Sequence, residues 1–362
     1  MNLRAFRMLS VCGLFLAVVP TSSRLAAQHL TLEGQTGGFL TPTAYVVDME
    51  KGQKFSHPAV GFHFINASAV IGNIETFSIT EGFAGRAEAG YTRSIHQLGN
   101  QTTGLDLSAL WDYNGMNVFH GKVIAIKDGQ FGAWTPGVAV GGLVRTGDKF
   151  VSGAIPPIVA AELTAELGSV AGPATTTSLF GTTAAKSYTN GDVYIAVTKT
   201  WAKPPVPFLV NVGWKATNAT IFGIGGQSTR FGGRFFGGLG IPLPLGHGVV
   251  AVPSAGFTQE PRTSVNLNQL LNLSRTLTLA QAPSLAPLLP AVSSHLPTTL
   301  DYAVRITQRE HPHFAFDLGV GQVAGNIGSI YVSNPLGPLP VVTTPVNLQA
   351  RHVLGMGLSY RY

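Results

Sequence analysis

The sequence predicts an all-β chain, a transmembrane antiparallel β-barrel of about fourteen strands within a range of twelve to sixteen. Three observations carry this. Charged residues make up only 11% of the chain, well under the roughly 25% usual for soluble domains, and mean hydropathy is positive at +0.24. Beyond the first 27 residues no apolar run approaches the roughly twenty residues that a spanning helix needs. A two-residue alternation recurs instead, most plainly in the closing "RHVLGMGLSYRY" (351–362), where Leu354, Met356, Leu358, Tyr360 and Tyr362 fall on every second position. A chain that is apolar overall must then spread its apolar residues by alternation. In lipid, only helices and closed barrels pair every backbone group.

The N-terminus sets the compartment. Arg4 and Arg7 precede an apolar run from Met8 to Val19, and Leu25-Ala26-Ala27 follows a polar stretch. This is the pattern of a secretory signal cleaved after Ala27. It leaves 28–362 as a single barrel domain. Cys12, the only cysteine, lies inside that apolar run. Val11 is too large to precede a lipidated cysteine, so a lipid anchor is rejected. The mature chain has neither disulfides nor thiolate metal sites. Residues 1–27 hold Arg4, Arg7 and Arg24 and no acid, so the remainder carries 20 basic against 17 acidic side chains, a net of +3. That balance gives no nucleic-acid footprint.

Each strand is read from its own pattern. "GLDLSALWDY" sets Leu105, Leu107, Ala109, Trp111 and Tyr113 against Asp106, Ser108 and Asp112. "GDVYIAVTKTW" sets Val193, Ile195, Val197 and Trp201 against Asp192, Thr198 and Thr200. Lys199 interrupts the apolar face near an end, where a long side chain can snorkel. "PFLVNVGWKA", "LDYAVRITQR" and "HFAFDLGVGQ" alternate in the same way. "NVFHGKVIAIK" and "GVVAVPSAGFT" alternate poorly, and Pro253 needs a bulge or a locally unpaired position. The fourteen strands are 35–47, 58–67, 74–80, 84–94, 103–112, 117–127, 136–147, 187–201, 206–217, 231–241, 248–259, 299–309, 313–324 and 349–362.

With both termini periplasmic, the outside connections are 48–57, 81–83, 113–116, 148–186, 218–230, 260–298 and 325–348. The inside ones are 68–73, 95–102, 128–135, 202–205, 242–247 and 310–312. The longer connections all fall outside, as barrels arrange them. Two extracellular loops, 148–186 and 260–298, are long enough to fold inward, cap the mouth or reach a partner, or simply to pack as surface loops.

No motif carries chemistry. "GIGGQS" (223–228) lacks the Lys-Ser/Thr and the βαβ unit of a phosphate loop. His311-Pro312-His313 reads as a polar turn without an acidic cluster nearby. No G-x-S-x-G occurs. The expectation is a non-enzyme with no catalytic residue, no cofactor and no metal. What remains is the lumen. If the outward face is apolar, Arg86, Glu88, Asp106, Asp192, Lys215, Arg234, Asp301, Arg305, Asp317, Arg351 and Arg361 point inward. Charges of both signs inside a barrel describe either a polar path that orients a solute or a lumen filled by paired charges. Together they imply a wet interior.

"GQTGGFLTPTAYVV" (34–47) resembles the opening Gly-rich strand of several Gram-negative outer-membrane barrel families. "GFAGRAEAGYTRS" (82–94), "GDVYIAVTKTW" (191–201) and "VNVGWKATNATIFGIGG" (210–226) are similar to one of them, an uncharacterised family known as a domain of unknown function. A weaker resemblance, through "TGGFLTPTA", is to the exopolysaccharide-associated outer-membrane barrels. These resemblances imply fold and an outer-membrane location. They also imply that Tyr360 and Tyr362 are read by the barrel-assembly machinery. The expected partners are outer-membrane lipid, that machinery, and small solutes or polysaccharide. The expected function is a passive or weakly selective pore for small solutes. The alternative is a non-conducting structural or export-associated envelope barrel.

Overall fold

The structure, a computed structural model, describes residues 29–50, 52–67, 72–97, 114–147, 188–202, 206–219, 227–260, 298–308, 313–324, 326–332, 344–349 and 352–361. The strands are β1 (Ala59–Ala67), β2 (Gly72–Phe83), β3 (Ala87–Gln97), β4 (Asn114–Ile126), β5 (Gly137–Gly147), β6 (Tyr188–Trp201), β7 (Phe208–Ala219), β8 (Gln227–Gly240), β9 (Leu243–Gly246), β10 (Val249–Gln259), β11 (Thr298–Gln308), β12 (Phe314–Ala324), β13 (Asn326–Val332), β14 (Thr344–Gln349) and β15 (His352–Arg361). Consecutive strands pair antiparallel from β1 to β8. The ring then runs through β10, β11 and β12 to β15, which returns to β1. Among the described residues the closed wall therefore has twelve strands, not fourteen. Short β9 is added beside β10, and β13–β14 form a separate hairpin between β12 and β15.

Two of the fourteen expected strands account for the difference. The 103–112 strand lies outside the described residues, and β3 and β4 on either side of it pair directly, Ala87 with Val123 through His96 with Asn114. Residues 35–47 are described and are not in the wall at all; they lie inside it. The two errors cancel in the count of sides. Connections 84–86, 127–136, 202–207, 241–248 and 309–313 join strand ends at one rim, and 68–71, 98–113, 148–187, 220–226, 260–297 and 325–351 join them at the other. From residue 113 onward the expected sides agree with this division. Before it, the sequence places 48–57, 68–73, 81–83 and 95–102 each at the opposite rim. Both ends of the wall, Ala59 and Arg361, pair at the short-turn rim.

The wall faces explain the alternation. Phe77, Val140, Ile195, Trp214, Val304 and Leu358 stand exposed on the outer surface. Soluble monomers rarely expose a continuous apolar belt of this kind, and here it encircles a sheet with no free edge. The chain is a transmembrane β-barrel. Near the short-turn rim Trp201 stacks on Phe208, ring centroids 4.7 Å apart, and Phe314 pairs with Tyr360, as an interfacial aromatic girdle does. Lys199 turns back to the rim, its Nζ 2.6 Å from Asp128. Because Ile195 faces lipid, Ile195→Arg is expected to cost about 2–4 kcal/mol and lower the folded fraction in heat-modifiable gel mobility. Unchanged mobility would show that the outer face has been misassigned.

Strands that alternate poorly prove to have apolar residues on both faces. On β4, Phe119 and Val123 face outward, while Met116, Val118 and Ile124 are buried inside. On β10, Val250 and Val252 are buried inside. Ile124 packs against Ala44 and Val46 of the internal segment. Pro253 sits where the neighbour of β10 changes from β8 to β9, and its carbonyl accepts from the Ile241 amide at 3.0 Å.

Candidate functional site

The segment 29–47 fills the lumen. Nearly all of its residues are buried, and it folds largely on its own backbone. Thr31 N donates to Gln35 O, Leu32 N to Phe39 O, and Thr43 N to Thr36 O. Glycine makes these reversals feasible. Gly34 has φ +84°, and a Cβ there would stand 2.3 Å from Thr92 Oγ1. The chain leaves the lumen at the short-turn rim, where Ser56 N donates to Gly82 O and Ala84 N to Lys54 O, and turns back into β1.

Wall charges hold this plug. Glu88 on β3 accepts from Thr36 N at 3.0 Å, from Val47 N at 3.1 Å and from the Thr36 hydroxyl. Lys122, its cross-strand neighbour, pairs with the same carboxylate at 3.0 Å. Its Nζ also donates to Thr36 O at 2.9 Å and Thr43 O at 3.0 Å. Arg145 on β5 grips Glu33 of the plug through Nε at 2.5 Å and Nη2 at 2.8 Å, and also pairs with Asp192 on β6 at 2.9 Å. Asp192 accepts a further bond from Thr217. Arg305 forms a two-point pair with Asp317 at 2.7 and 3.1 Å while donating to Gly37 O at 3.0 Å. Thr198 Oγ1 accepts from Ala44 N at 2.8 Å. Charge-assisted bonds of this kind are about twice as strong as neutral ones.

Apolar contacts seal the rest. Phe39 and Leu40 pack with Leu32 and Ala303. The Phe39 ring lies over two paired wall glycines, Gly319 and Gly355. A Cβ on Gly355 would stand 2.6 Å from the ring.

Glu88, Asp192, Lys215, Asp301, Arg305 and Asp317 are buried on the inner face, and half-buried Arg234 faces inward as the cross-strand partner of Lys215. Arg86 does not: it is exposed in the 84–86 turn at the rim, because β3 begins one residue after it. Asp106, Arg351 and Tyr362 lie outside the described residues, as do most of the loops 148–186 and 260–298. Tyr360 stands on the outer face near the rim, and Arg361 is half-buried beside it. Along residues 29–47 the plug supplies hydrogen-bond and charge partners to the wall residues Glu88, Lys122, Arg145 and Arg305. Sequence reading missed the plug residues Glu33, Thr36, Phe39 and Thr43, and the wall residues Lys122 and Arg145. Their signal was available in Gly37, Gly38 and Pro42, three strand breakers inside the expected strand 35–47, with Gly34 just before it.

His29, at the start of the plug, bonds Ser359 at 3.2 Å. Burial, together with the nearby Arg305 and Arg361 charges, holds its imidazole well below the ordinary 6.5. The docked plug therefore favours neutral His29. As pH falls below 6.5, a released segment binds a proton that the docked one refuses, so docking weakens, by about 1.4 kcal/mol per pH unit at most. Lowering pH from 7 to 5 is expected to expose the segment to added protease, and His29→Gln is expected to reduce that dependence. An unchanged pH response in His29→Gln would contradict this role.

No protein-family model matches this chain, and no curated protein sequence matches it. Among solved structures it is similar to the KdgM porin (6% identity over 84% of this chain and 99% of that one, TM-score 0.38). It is also similar to the NanC porin (9% identity, 84% and 100%, TM-score 0.39) and to the β domain of the Bordetella autotransporter BrkA (10% identity, 84% and 99%, TM-score 0.37). The overlap is loose at these scores, and the fold rests on the strand pairing described above.

Proposed function

We propose that this chain is an outer-membrane channel for small polar solutes, closed at rest by its own N-terminal segment. The observation that carries this is the occupancy of the lumen by residues 29–47. The wall supports a removable plug, because each gripping cation keeps a carboxylate partner on the wall itself: Lys122 has Glu88, Arg145 has Asp192 and Arg305 has Asp317. Withdrawal of the plug leaves these charges paired rather than stranded, and uncovers a polar path. On this reading residues 1–27 are a cleaved signal, 28–362 form the single barrel domain, and Tyr360 and Tyr362 mark the terminal strand for the assembly machinery.

A second reading, a permanently closed structural or export-associated barrel, draws on the apolar seal. Ala44 and Val46 pack with Ile124, Ala139, Tyr194, Ala196 and Phe236, as a fixed core would. Proteoliposomes separate the two. Vesicles holding a chain that lacks residues 28–49 should swell in isotonic small sugars, and vesicles holding the intact mature chain should not. If the shortened but folded barrel admits no sugar, the channel reading fails and the structural one stands.

A further inference from the structure

Asp301 lies on β11 with glycine on both sides. Its cross-strand neighbours are Gly256 on β10 and Gly321 on β12, and Gly256 in turn faces Gly238 on β8. Across these four strands one row of the inner wall therefore carries a single side chain. The Asp301 carboxylate lies over Gly256: a Cβ there would stand 2.4 Å from Oδ1. Asp301 is 3% exposed, and its Oδ1 has no hydrogen-bond partner among the described residues. It borders a cavity of about 550 Å³, counting the part open to solvent, between this thin stretch of wall and the plug residues Gly38, Phe39, Thr41 and Thr43.

The other charges bordering the cavity are Arg305 and Asp317, and their two-point pair cancels. One negative charge is left over. The neutral polar groups around it are the hydroxyls of Thr41, Thr43 and Ser254 and the amide of Asn211. Burying a carboxylate without a partner is costly enough that it must take up either a cation or a proton. Carboxylate and neutral oxygen donors suit hard cations. A single uncompensated charge matches a monovalent ion rather than a divalent one. Among the described residues no group of three His, Cys, Asp or Glu gathers as a divalent site would require.

We propose that the Asp301 cavity binds a monovalent inorganic cation, sodium or potassium, between wall and plug. Its occupant meets oxygens from both, so the ion strengthens docking of the segment 29–47, and the site rests on that docking. Two measurements on the intact mature chain test it. Crystals grown with thallium(I) should show anomalous density beside Asp301, absent in Asp301→Asn. The unfolding midpoint should rise and saturate with sodium or potassium chloride, but not with choline chloride at the same ionic strength, and the stronger salt identifies the ion. Should Asp301→Asn fail to fold, Gly256→Ala, which keeps the carboxylate but displaces it, should abolish the density. Wild-type protein equally stable in all three salts, without thallium density, would assign a proton to Asp301 and overturn the proposal. So would density that persists in Asp301→Asn.

Discussion

Replacing Glu88 with alanine is expected to release the plug and turn a closed barrel into a conducting one. The carboxylate accepts from Thr36 and Val47 of the plug while neutralising Lys122, whose side chain is fully buried. Removing one partner of a buried pair costs about 3–5 kcal/mol, because the other charge is stranded. At roughly 1.4 kcal/mol per tenfold, the docking equilibrium moves by more than about a hundredfold. The wall ladder is untouched, so the barrel itself should still form. In planar bilayers, Glu88→Ala should conduct where the wild type is silent. Glu88→Gln, which keeps one acceptor oxygen where the carboxylate offers two, should lie between them. A silent Glu88→Ala barrel would remove Glu88 from the account.

The second large effect is at Phe39. Its ring is 3% exposed and fills the hollow above Gly319 and Gly355. Phe39→Ala should weaken docking by about 3–5 kcal/mol, the usual loss for a buried phenylalanine. Gly355→Ala should act in the same direction, since its Cβ would stand 2.6 Å from the ring. The two are coupled. In the Phe39→Ala background the Gly355 substitution meets no ring and should be nearly harmless. Protease sensitivity of the segment 29–47 in membrane-inserted protein reads out all three variants. Strictly additive losses would mean that the ring and the glycines do not meet.

The wall was legible because lipid imposes one rule on every strand. Val193, Ile195, Val304, Leu318 and Leu358 face outward in the register their alternation gives, since the hydrocarbon tolerates no other arrangement. The lumen imposes no such rule. Its contents can be water, ions or protein, and the same inward residues serve each. Glu88 and Asp192 could be read as inward, but nothing near them in sequence shows that Thr36 or Glu33 meets them. Lys122 was hidden in a strand whose alternation is blurred by apolar residues on its inner face, such as Ile124 against the plug, and nothing near Arg145 in sequence shows that Glu33 meets it. The segment 35–47 reads as a strand in the sequence, like the opening strand of the barrel families it resembles. Its glycines and Pro42 argued the opposite, and a tight polar fold inside the barrel satisfied them. The even count of strands survives because two strands drop out of fourteen, and the sides agree again beyond the second of them.

Position of the plug is the central claim, and a disulfide tests it most directly. The sole cysteine, Cys12, lies in the proposed signal, so the mature chain offers a cysteine-free background. Ala44 N and Thr198 Oγ1 are 2.8 Å apart, which brings the plug against β6. In a chain carrying Ala44→Cys and Thr198→Cys, assembled in membranes and gently oxidised, the two sulfurs should join within one molecule. The bond should appear by mass spectrometry and keep both thiols from a membrane-impermeant maleimide. Rapid labelling of both cysteines, with no bond formed in folded barrel, would place residues 29–47 outside the lumen and contradict the account.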